Sequence, residues 1–408
     1  MNVRLDKLGP RAQGGKTENE RSFLEMAMRA RLAAHPPWKQ LVIVTIVFQL
    51  VLGAAVLAFA WPTARVAPRD LPVGIVGSTP ESQAFVAQLD ARRPGAFDFR
   101  LYADADAARD GIRHREVYGA FEAAPHSVMV YVASAAAPAV ASVLTATAQA
   151  IGGPERTVGV ADVVPLSSDD PRGSVLSAAL LPLTICSILI ASGIGVVIRF
   201  RPAWRQIVAL LNVSLVAGAA VYLIAQVWLG ALPHRPIATW LSIAAMILAV
   251  SSATAGLVAL VGPPGLGLAA VTMVFVGNPF SGVTSAPELL PTGVGHLGQW
   301  LPPGAAASLL RSTSYFDGAD ATGHAAVLLA WTVAGMGAIV LGHHAPIRFA
   351  AGGGAGRRFA RSVPPGLAGD TRVSGQTTFP GDVQGARFGV QPDHDQSGDR
   401  CRTGVAGM

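Results

Sequence analysis

The sequence predicts a membrane all-α fold of six transmembrane helices, with an extracytoplasmic α/β domain inserted between the first and second spans. Three observations lead there. The first is composition: 408 residues are 51% hydrophobic and only 14% charged, more apolar surface than a water-soluble globule of this size can hide. The second is that Asp, Glu, Lys and Arg are absent from the tracts 40–64, 173–198, 206–234, 236–287 and 321–347. A helix needs roughly 20 apolar residues to cross about 30 Å of hydrocarbon. Four tracts therefore hold one span each, and 236–287 holds two if it folds back at Gly262-Pro263-Pro264-Gly265. The third is the placement of Lys and Arg, which tend to remain cytoplasmic. The segments 1–40, 199–206 and the tail after 342 carry 19 basic and 9 acidic residues, against 12 and 16 elsewhere. Both termini then face the cytoplasm and 62–173 lies outside, as an even number of spans requires. The expected location is a bacterial plasma (inner) membrane.

Taken in order, residues 1–40 form a cytoplasmic arm. Thr17-Glu18-Asn19-Glu20 has the form of a capping box, and Phe23, Met26, Ala27, Ala30 and Ala34 recur at helical spacing, so an amphipathic helix is expected along the membrane surface. His35-Pro36-Pro37 ends it, and the first transmembrane helix follows at 41–61; it is expected to serve as an anchor without a cleavage site. Residues 62–173 have ordinary charge density and alternating apolar runs. They predict strands at 71–76, 98–102, 117–122 and 127–132, helices at 81–89, 105–112 and 135–151, and a domain that buries its own core. His114 and His126 belong to its surface.

A five-helix transmembrane domain is expected over 174–345, with spans near 175–198, 207–230, 237–261, 265–280 and 325–342. Pro182 kinks the first of these. The fifth of the six spans is short and runs into Asn278-Pro279-Phe280-Ser281-Gly282, where Pro and Gly break it before the outer face. Prolines at 287, 291, 302 and 303 then predict a re-entrant segment of short helices over 280–323, permitted where protein covers the irregular backbone. The Gly-, Arg- and Pro-rich stretch 346–408 reads as a disordered cytoplasmic tail.

Chemistry is sparse. Gly9–Thr17 (GPRAQGGKT) imitates a phosphate loop, but Pro10 stands where the first glycine belongs and no strand precedes it. Cys186 lies in an apolar tract and Cys401 in the tail, so neither staples the outer domain. No metal set, nucleophile or cofactor motif is present, and the sequence predicts no enzyme. The spans contain no carboxylate with which an ion-coupled carrier would bind its ion. Asn212, Ser214, Gln226, Ser251, Ser252, Thr254 and Thr272 are expected to join helices by hydrogen bonds or to line a path. The high pI records membrane sidedness and excludes nucleic acid as the expected partner.

One span, a large outer domain and five further spans, with NPFSGVTSAPELLPTGVGHLGQWLPPGAAASLLR between the last two, resembles the ABC exporter permeases of type 2, closest to the YhgE/Pip-like branch. The positions carrying the likeness are Asn278, Pro279, Ser281 and Gly282, then Pro287-Glu288-Leu289-Leu290-Pro291, Leu297–Leu301, Pro302-Pro303 and Arg311. The resemblance covers about residues 20–345. It implies a permease subunit without its own ATPase, paired with a second permease copy and driven by a cytoplasmic ABC ATPase, that exports a substrate the sequence does not identify; the uncharged spans would suit an amphiphilic or lipid-like one. The short cytoplasmic loop with Arg199, Arg201 and Arg205, together with the amphipathic helix before His35, is the expected ATPase docking surface. The alternative expectation is a membrane receptor or envelope scaffold that binds a ligand through its outer domain.

Overall fold

The structure, a computed structural model, describes residues 38–153, 156–198 and 201–344. The amphipathic arm helix, the tail and Arg199 lie outside these residues.

Five helices are long and apolar enough to cross a membrane: α1 (Trp38–Ala64), α5 (Ser174–Val197), α6 (Ala203–Tyr222, running on to Trp228), α7 (Pro236–Val261) and α11 (Ala321–His344). The sixth, α8, has 7 α-helical residues (Pro264–Ala270) and 7 in a π-helix (Val271–Gly277), no more than roughly 21 Å at about 1.5 Å per residue. It is too short to span unaided. The hairpin into it forms at the expected place: Gly262 takes φ +74° and Pro264 opens the new helix, where its missing N–H is harmless.

Between α1 and α5 the chain builds β1 (Leu71–Val76), α2 (Pro80–Arg92), β2 (Phe97–Tyr102), α3 (Ala105–Arg113), β3 (Gly119–Ala123), β4 (Ser127–Val132), α4 (Pro138–Gly152) and β5 (Thr157–Asp162). The five strands form one sheet in the order β2-β1-β3-β4-β5, parallel except where β3 meets β4. Side chains alternate between its faces. Leu71, Val73, Ile75, Phe121, Val128 and Val130 pack under Phe85 and Leu89 of α2 and Leu144 of α4. On the other face Val76, Ala120 and Tyr131 meet Ala108 and Ile112 of α3.

Two expectations are corrected. A fifth strand, β5, pairs in parallel with β4; only Val158 and Val160 give it apolar weight, and Gly159 is small because a Cβ there would lie 2.8 Å from the Met129 methyl group. The α/β unit also does not complete its core alone. Ala286 and Leu289 close one face of the sheet and Phe316 the other, all three supplied from beyond α8.

After α8 come a single 3₁₀ turn (Pro287–Leu289), α9 (Val294–Gln299) and α10 (Pro302–Tyr315). Every residue of α10 from Pro302 to Ser314 is buried. Ala305, Ala306 and Leu309 pack against Leu180 of α5, Met246 and Ala249 of α7 and Leu328 of α11.

Candidate functional site

The break after α8 is built from side chains that replace lost helix bonds. Asn278 is buried and its Nδ2 donates to the Met273 carbonyl at 3.0 Å, within the π-helix whose last turn it terminates. Pro279 offers no N–H to continue the ladder. Ser281 Oγ donates to the Asn278 carbonyl at 2.6 Å and accepts the Val283 N–H at 3.2 Å, which turns the chain. Gly282 then takes φ +68°, with Pro287 so close that a Cβ would lie 2.7 Å from its nitrogen. Pro287 starts the 3₁₀ turn and Pro291 ends the stretch that follows.

This turn is joined to the α/β unit. The strap between α1 and β1 lies along it: Ala67 N–H donates to the Leu289 carbonyl at 3.0 Å and Arg69 N–H to that of Glu288 at 3.1 Å. The Arg69 guanidinium caps the carbonyls of Leu289 and Leu290 at 3.0 and 2.8 Å. Tyr118, just before β3, donates its hydroxyl to Glu288 Oε2 at 2.8 Å. Burial, and next the Glu288 carboxylate, push the Tyr118 phenol far above its ordinary pKa, so it stays protonated as the donor. Arg115, in the left-handed region at φ +62°, donates to the Ser308 carbonyl at 3.0 Å and to Ser312 Oγ of α10.

Between these contacts lies a cavity of about 330 Å³, walled by Arg69, Asp70 and Arg115 from the α/β unit, Glu288 and Gln299 below, and Asp320 before α11. Gln299 is fixed at both ends, donating to the Ser281 carbonyl at 2.9 Å and accepting from Ser308 Oγ at 2.8 Å. Ion pairs among the described residues join Arg109 to Asp106, Arg113 to Asp110, Arg235 to Asp317 and His324 to Asp320. None involves Arg69, Arg115, Asp70 or Glu288. Arg311, buried in α10, donates to the Val283 carbonyl and likewise has no carboxylate within ion-pair distance among them.

The structure thus gathers the motif residues Asn278, Pro279, Ser281, Gly282, Pro287, Glu288 and Pro291 into one turn, and Glu288 and Pro291 line the cavity. Arg201 and Arg205 are exposed just past the C-terminal end of α5, and neither lines the cavity. Sequence reasoning missed Arg69, Arg115 and Tyr118: each sits beside a strand, and no local spacing announces a partner across the fold. Among the described residues no group of three His, Cys, Asp or Glu is arranged to hold a metal. The cavity offers charges of both signs and hydrogen bonds, the means of binding. Comparison with family models, curated proteins and solved structures finds no match to this chain.

Proposed function

We propose that this chain is the permease subunit of an ATP-driven ABC exporter in a bacterial plasma membrane, with the α/β unit outside and both termini inside. The observation that carries the reading is the fate of the chain after α8. The helix stops short at Asn278, and the following 40 or so residues return as α9 and the buried α10 before α11 departs, while their turn is bonded to the α/β unit. A ligand-binding domain merely anchored by helices would keep a core of its own; here Ala286, Leu289 and Phe316 complete the sheet's two cores. Movement of the membrane segment would be felt by the outer unit, which suits transport.

Tryptophans support the membrane placement. Trp38 and Trp204 stand exposed at one end of α1 and α6; Trp61 and Trp228 stand exposed near the other. Each pair is separated by about 35 Å of helix, the spacing of two aromatic belts. On this reading α8 and α10 border the path, a second copy of the chain supplies its other half, and the connection bearing Arg201 and Arg205 faces the ATPase.

The test is affinity purification of the tagged full chain from its own host in mild detergent. The expected result is co-purification of an ATP-binding cassette protein together with an untagged copy of the permease. Recovery of the chain without any cassette protein, under conditions that preserve a known exporter complex, removes the proposal.

A further inference from the structure

The cavity under the sheet holds charges of both signs that the protein leaves unmatched. Arg69 and Arg115 use part of each guanidinium on main-chain carbonyls and a serine, and neither has a carboxylate partner among the described residues. Below them Glu288 accepts the Tyr118 hydroxyl and has no cation within ion-pair distance among the described residues, and the exposed Asp70 is in no ion pair, whereas Asp320 is taken by His324 and lies in the field of Arg115. Arg69, Arg115 and Glu288 are half-buried, and half-buried charge without a counter-charge is unfavourable and marks a place where a ligand supplies what is missing. A guanidinium with N–H groups to spare pairs well with a phosphate, and carboxylates pair with an ammonium. The volume, about 330 Å³, is that of a small-molecule site.

Its depth adds to the argument. The cavity is floored by α9, whose Leu297 and Trp300 are exposed, Trp300 by 72%. Asp320 and His324, just before and in the first turn of α11, also line the cavity and set it at the start of that helix; the Trp300 carbonyl accepts from the indole of Trp331, about 15 Å further along α11, at 2.8 Å. Trp61 and Trp228 are exposed near the corresponding ends of α1 and α6, and exposed tryptophan at helix ends is the mark of the headgroup region.

We propose that the cavity binds a zwitterionic group in which a phosphate adjoins an ammonium, the phosphate at Arg69 and Arg115 and the ammonium at Glu288 and Asp70. This is the chemistry of a phosphatidylethanolamine headgroup and of free phosphoethanolamine. The inference deepens the exporter reading by naming the class of molecule taken at the outer face, and it rests on the outward placement given there.

The experiment uses the purified full chain in detergent, titrated with three probes: dihexanoyl phosphatidylethanolamine, dihexanoyl phosphatidylglycerol and phosphoethanolamine. Binding is followed by native mass spectrometry and by tryptophan emission. Saturable binding of the ethanolamine lipid at least about tenfold tighter than of the glycerol lipid is expected, the value of one charged hydrogen bond. Glu288→Gln and Arg115→Gln each weaken it by about tenfold, and the exposed Arg113→Gln leaves it unchanged. Phosphoethanolamine binding as tightly as the lipid assigns a soluble source for the ligand; much weaker binding assigns the lipid. Equal affinity for both lipids, no binding of either, or indifference to both cavity substitutions overturns the proposal. Arg115 also ties the α/β unit to α10, so if Arg115→Gln does not fold, the comparison of the two lipids on the unaltered chain decides. No ATPase is present in this measurement. Failure to recover a cassette protein would therefore remove the exporter reading and leave the binding result standing, and the reverse holds as well.

Discussion

Gly282 is a position where the backbone leaves no choice. At φ +68° an L side chain is strained, and Pro287 stands in the space a Cβ would fill. Gly282→Ala is expected to lower stability by about 2 kcal/mol or more, read as a fall in the thermal midpoint of the detergent-purified chain. Gly293 shares the left-handed backbone, φ +80°, but nothing lies within 4 Å of its would-be Cβ. Its alanine variant should lose only about 1 kcal/mol. Equal losses would mean that the contact with Pro287 does not constrain the turn. Tyr118→Phe tests the link to the α/β unit. It strips Glu288 of its hydroxyl donor and leaves a half-buried carboxylate unsatisfied, a loss of about 1–3 kcal/mol in the same assay. The glycine and the glutamate were legible in the sequence because breakers cluster around them. Tyr118 was not, since its partner lies 170 positions away and only the folded chain brings the two together.

Among the elements, α7 and α11 approach each other closely. A Cβ on Gly256 would lie 2.6 Å from the Gly335 carbonyl, and one on Gly342 would lie 2.6 Å from that of Ala259. Small residues at these crossings let two backbones touch, which is how helices gain dispersion energy where lipid is as apolar as leucine. Gly335→Ile should force the pair apart and convert the single size-exclusion peak in detergent to aggregate. Gly337, two residues on, has open space around its Cβ position, and Gly337→Ile should elute as the unaltered protein does. The five long helices were legible because twenty apolar residues have few alternatives. The π-helical ends of α6 and α8 were not: a wide turn depends on which carbonyl each N–H chooses, and Leu223–Trp228 and Val271–Gly277 carry the same apolar letters as any span. β5 escaped for a related reason, being an edge strand whose alternation is interrupted by Gly159.

For the whole molecule, the proposed sidedness rests on charge, and the structure adds a geometric condition to it. On the proposed six-span reading, odd-numbered and even-numbered spans run in opposite directions, so the α/β unit after α1, the α6–α7 turn and the segment between α8 and α11 share one face. Contacts agree: Ser167 donates to the Gly230 carbonyl at 2.7 Å, and Tyr118 reaches Glu288. The α5–α6 connection with Arg201 falls on the opposite face. If basic residues hold that connection inside, a single cysteine in the β3–β4 turn must react from outside the cell. Cys186 is exposed on α5 within the apolar belt, so it is replaced by Ser first, together with Cys401. Ala124→Cys, at a turn well away from the cavity and the helices, is then expected to label with an impermeant maleimide in intact spheroplasts. Arg201→Cys is expected to label only after the membrane is opened. Because the two faces are fixed by one fold, the sites cannot both react from the same side. Labelling of Arg201→Cys alone in sealed cells would invert the chain, place the cavity in the cytoplasm and remove the outer headgroup level from the account; labelling of Ala124→Cys alone leaves the fold, the charge asymmetry and the two tryptophan belts pointing the same way.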